Sequence, residues 1–141
     1  MNFGKKEKIL VLVTAQRKSL RLIDYGFSLS LANDGELHIL HVQKGNSIFE
    51  DKNFLKRLQG LVDYGSKLGA CVHVQCAHNV AECIGDFVEK EAITHVVLGN
   101  GSQEDKTEFF NEMDSIISIM PTDVKMNVPI KEEVKQMRLI V

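Results

Sequence analysis

The chain has 141 residues, a formal net charge of −2 and charged residues interspersed along its length, which is the size of one domain and lacks the basic excess of a nucleic-acid-binding surface. No apolar run approaches the ~20 residues needed to cross a bilayer, and Met1 to Lys8 is polar and basic with no signal-peptide core behind it, so a cytoplasmic protein that does not engage membranes is expected. Cys71, Cys76 and Cys83 are odd in number and fall inside regular segments, which points to free thiols and not to a disulfide framework.

Lys8 to Thr14 (KILVLVT) is a continuous, β-branched apolar run, the pattern of a strand buried on both faces of a parallel sheet. Ser19 to Asn33 carries Leu20, Ile23, Phe27 and Leu31 at helical spacing, and Gly35 is the permissive residue expected past the helix end. The alternation repeats. Glu36 to Val42 (ELHILHV) reads as a second strand, and Phe54, Leu58, Leu61 and Leu68 mark a second helix that stops at Gly69. Cys71 to Cys76 (CVHVQC) reads as a third strand. Asn79 is placed to cap a third helix with Glu82 in its first turn, and Val80, Ile84, Phe87 and Val88 form that helix's buried face.

Thr94 to Leu98 (THVVL) supplies a fourth strand ending at Gly99, followed by a polar loop from Asn100 to Asp105. Thr107 to Met120 has Phe109, Phe110, Met113, Ile116 and Ile117 at helical spacing and is terminated by Pro121. Val124, Met126 and Val128 alternate with polar neighbours, as in a half-exposed edge strand closed by Pro129, and the apolar tail Met137 to Val141 is suited to pairing with a further sheet edge. The expected fold is therefore a three-layer, doubly wound α/β domain: a five-stranded, mainly parallel sheet with helices on both faces. Its expected core holds Val11, Leu12, Val13, Ile39, Leu40, Val74, Val96 and Val97.

The stretch from Val11 to Gly45 and the segment Pro121-Thr122-Asp123-Val124 running to Pro129 resemble the universal stress protein family, and within it the version found in potassium-responsive sensor kinases of the KdpD type. The turn Thr14-Ala15-Gln16, the segment Arg21-Leu22-Ile23 and Gly35-Glu36-Leu37 carry the subtype resemblance, while the family resemblance spans roughly residues 8 to 128 and leaves 129 to 141 as a tail. It implies a small-ligand-binding regulatory module, often an ATP binder and usually a homodimer. An adenine nucleotide or a cyclic dinucleotide is the ligand class that this resemblance suggests.

In an open parallel sheet, ligands settle outside the carboxyl ends of strands where the strand order reverses. Here that marks Thr14, Ala15, Gln16 and Arg17 after the first strand, Gly99, Asn100, Gly101, Ser102 and Gln103 after the fourth, and His41 and Val42 at the end of the second. Glycine backbone N–H groups at the second loop suit a phosphate, as does the start of the helix that follows. Against the family's ATP pattern, however, Ala15 and Gln16 stand where an aspartate is usual, Ser102 takes the place of a second glycine, and Phe110 and Asn111 replace a later Gly-Ser pair. Glu104, Asp105 and Glu108 add negative charge to the same loop. ATP is accordingly a doubtful ligand.

No metal site is expected, because His38 and His41 fall on opposite faces of one strand and Cys71 with His73 supplies only two ligands. With no nucleophile elbow and no Walker lysine, the chain reads as non-catalytic. A homodimer through the last strand and a signalling partner protein are expected; the alternatives in function are a dimerising scaffold that has lost its nucleotide site and a weak nucleotide hydrolase.

Overall fold

The computed structural model describes residues 6–13, 19–44, 52–99 and 115–128. Among these residues there are five strands: β1 (Lys8–Leu12), β2 (Glu36–Lys44), β3 (Cys71–Ala77), β4 (His95–Val97) and β5 (Lys125–Asn127). They form one sheet of order β3-β2-β1-β4-β5 in which every pairing is parallel. Three helices alternate with them, α1 (Ser19–Ala32), α2 (Lys52–Lys67) and α3 (Val80–Lys90), and residues 115–119 are also helical. The described part of the expected fourth helix is this last turn; residues 107 to 114 and the tail from 129 lie outside the described residues.

Alternation along the buried strands builds the three layers. Ile9, Val11 and Val13 of the first strand segment join Ile23, Leu37, Ile39, Leu58 and Leu61 in a core beneath α1 and α2. Leu10, Leu40 and Val96 face the other way, onto Ile84, Phe87 and Val88 of α3 and Ile116. Two residues expected in the core are only half-buried: Leu12 and Val74. Val74 sits on β3, which among the described residues has a neighbour on one side alone, and Leu12 packs at the margin of the α3-side core.

Helix ends follow local chemistry. Asn79 caps α3, its Oδ1 accepting from the Glu82 N–H at 3.0 Å, and Gly69 takes the left-handed conformation (φ 77°) after α2. The end of α1 corrects the expectation for Gly35: the left-handed residue is Asp34 (φ 50°). Gly35 is needed there because a Cβ would lie 2.5 Å from the Glu7 carbonyl oxygen, where the chain passes beneath β1.

Candidate functional site

The strand order reverses at β1: the chain moves from β1 outward through β2 to β3, then returns to the other side of β1 with β4. The carboxyl ends of β1 and β4 therefore stand side by side, at the Val11–Val97 register pair. Both ends are held by their neighbours, since Val13 N–H donates to the Leu40 carbonyl and Leu98 N–H to the Asn127 carbonyl, each at 3.0 Å. Val13 and Leu98 are buried. Gly99 follows directly, over Leu22 of α1, so close that a Cβ would meet Leu22 Cδ1 at 3.0 Å. Thr14 to Arg17 and Asn100 to Gln103 lie outside the described residues.

His41 belongs to this edge, but as a brace. Its Nδ1 is 2.9 Å from the Val13 carbonyl oxygen and its Nε2 is 3.2 Å from Gln43 Oε1. A carbonyl only accepts, so Nδ1 carries a proton and donates to Val13. The ring is buried, and its work is to fix the Val13 carbonyl at the carboxyl end of the β1 segment. Val42 points to the other face and packs against the α3-side core. The two neighbours thus separate, as the two-residue strand period requires.

No family model matches the sequence, and no curated protein does either. Solved structures do match. A universal stress protein in complex with cAMP superposes with a TM-score of 0.61 at 15% identity, covering 86% of this chain and 95% of that one. The Archaeoglobus fulgidus universal stress protein in complex with dAMP gives 0.61 at 14% identity, over 86% and 97%. The universal stress protein UspA of Lactobacillus plantarum gives 0.66 at 12% identity, over 89% and 98%. The chain has the universal stress protein fold.

Within that fold, one hollow among the described residues lies away from the strand ends. A groove of about 600 Å³ runs between β3 and α3, bordered by His73, Gln75, Cys83, Asp86, Phe87 and Lys90 among others. Cys83 Sγ donates to Gln75 Oε1 at 3.0 Å. Burial pushes the Cys83 thiol pKa up, and the Asp86 carboxylate adds to the effect, so this thiol stays protonated and is a poor nucleophile. His73 pairs across the sheet with His38, Nε2 to Nδ1 at 3.2 Å. Burial holds the His73 pKa below its ordinary value, the charge of His38 adds to this, and the Glu91 carboxylate opposes it.

Sequence reasoning placed Cys71 and His73 on one face but missed the His38–His73 pair, because the two rings meet only through the β2–β3 register that sets Leu40 opposite His73. Among the described residues, no group of three or more His, Cys, Asp or Glu side chains is arranged to hold a metal ion. None of the described helices is long and apolar enough to cross a membrane.

Proposed function

We propose that this chain is a regulatory member of the universal stress protein family that binds a small ligand of the nucleotide class at the carboxyl ends of β1 and β4 and does not turn it over. The observation that carries the reading is the adjacency of the carboxyl ends of β1 and β4 where the strand order reverses, with His41 bracing the Val13 carbonyl. Similar structures described as complexes with cAMP and with dAMP support the ligand class. The departures at Ala15, Gln16, Ser102, Phe110 and Asn111 favour a nucleotide other than ATP. The resemblance to the KdpD-type domain adds a cyclic dinucleotide as the specific candidate and a cytoplasmic signalling protein as the partner.

The test is an amide-shift titration of the labelled protein with AMP and with cyclic di-AMP. The proposal expects saturable shifts at Val13, His41 and Gly99 for at least one of them. If neither moves these amides while the protein sediments as a dimer, the scaffold reading replaces this one. Steady phosphate release from ATP that a Gly99 substitution abolishes would instead make the chain a hydrolase.

A further inference from the structure

His38 on β2 is 5% exposed, and its Nδ1 lies 3.2 Å from Nε2 of His73 on β3. The two rings are nearly parallel, 17° apart with centroids at 5.5 Å, and the His73 ring meets the Phe87 ring of α3 edge-on at 4.8 Å. Phe87 is itself buried. One continuous row of rings therefore ties the sheet through its edge strand to the helix that covers it.

The row works only with a particular proton count. Where the two nitrogens face each other, one must donate and the other accept. Among the described residues His38 Nε2 has no hydrogen-bond partner, and Glu36 Oε1 lies 3.6 Å from it, so a proton on Nε2 is favoured and Nδ1 is left to accept from His73. One further proton goes to the His73 nitrogen outside the pair and leaves the hydrogen bond intact. A second must go to His38 Nδ1, which sets N–H against N–H and places two cations within one ring spacing.

The groups around the pair give limited compensation. On β2 there is Glu36, more than a third exposed; β1 offers only the apolar Leu10 opposite His38; β3 offers the thiol of Cys71. Glu91, the C-cap of α3, favours a proton on His73, while Glu82, Cys83, Asp86 and Lys90 of α3 border the same groove. Glu36 and Glu91 are both partly exposed, as is His73, so each carboxylate offsets only weakly the mutual repulsion of two adjacent cations.

We infer that His38 and His73 form a pH-operated latch, which holds the edge strand β3 to α3 while the pair carries at most one extra proton and releases it when both rings are charged. Release frees the β3 edge and widens the groove it shares with α3, while the central strands β1 and β4 stay closed. The depressed pKa of His73 agrees with a folded state that keeps this ring neutral.

Amide hydrogen exchange, read as protection factors at about pH 7.5 and about pH 5 on either side of the ordinary imidazole value, tests the latch. Protection of Val74, Gln75, Ile84 and Val88 should fall by about tenfold or more at the lower pH, with Leu10 and Val96 changing far less; a tenfold change corresponds to one unit of pKa shift. His73→Phe, which keeps a ring against Phe87 but cannot take a proton, should remove the difference. An equal loss in every strand, or a His73→Phe protein with the same pH response, overturns the inference. Should that variant not fold, the imidazole NMR titration of the unaltered protein decides: coupled curves for His38 and His73 support the latch, and independent curves at ordinary values refute it.

Discussion

Replacing Gly26 with alanine sets two effects of opposite sign against each other. Alanine within a helix is favoured over glycine by about 1 kcal/mol, which on α1 alone would stabilise the protein. But a Cβ at this position lies 2.2 Å from Val11 Cγ2 and 3.3 Å from Leu37 Cδ1. Val11 is wholly buried in β1, with strands on both sides, so it cannot move aside and α1 must lift. Overpacking of this kind costs typically about 1–3 kcal/mol, and a contact this short belongs at the upper end. We expect a net loss of about 2 kcal/mol, or roughly 8 °C in Tm at about 4 °C per kcal/mol for a chain of this length. Gly60 on α2 is the control, because nothing lies within 4 Å of a Cβ there; Gly60→Ala should stabilise by up to about 1 kcal/mol. Urea denaturation of both variants reads the two signs directly. A Gly26→Ala protein as stable as the unaltered one would refute the close packing of α1 on β1.

Further expectations concern caps, protons, nucleotides and assembly. Asn79→Ala removes the acceptor of the Glu82 N–H and should cost about 1 kcal/mol in denaturant melts; no change would mean the cap is replaced by solvent. Burial, reinforced by Lys125 and opposed by Glu7, holds the His95 pKa below its ordinary value. The unfolded chain therefore takes up a proton that the folded chain resists, so this stability is present above about pH 6.5 and is lost as pH falls through the folded value. Tm should drop on acidification, less steeply in His95→Gln, and identical slopes would exclude His95 as a source. A phosphate cradle rests on charge-assisted contacts of about 1.5–3 kcal/mol each, so losing two takes a micromolar site to about millimolar. Titration calorimetry should give an ATP Kd weaker than about 100 micromolar, and a low-micromolar value would contradict the reading of Ser102, Phe110 and Asn111. Finally, β5 leaves an edge beside β4 with half-buried Met126 and Val128, so sedimentation at about 50 micromolar should show a dimer, and monomer alone would count against the last strand as an interface.

The elements themselves were legible in the residues. KILVL and HVV are strands because unbroken β-branched runs suit only positions covered on both faces, and VAECIGDFVEK is a helix because its apolar residues recur every three or four positions behind an Asn cap. Alternation with short connections dictated right-handed crossovers, and hence a parallel sheet with β1 at the reversal. The place of a strand-end site followed from that topology without any side chain being seen. What depends on register and distance could not be read in this way. That His41 spends Nδ1 on the Val13 carbonyl, and that His38 meets His73, are set by contacts between residues 28 and 35 positions apart, which no local pattern encodes. Burial of Leu12 and Val74 was overestimated because hydrophobicity reports what a residue can bury and not whether a neighbour is there to cover it. Gly26 reads as a weak point in a helix until the structure shows Val11 beneath it; the tertiary fold alone turns a missing side chain into the surface on which α1 meets the sheet.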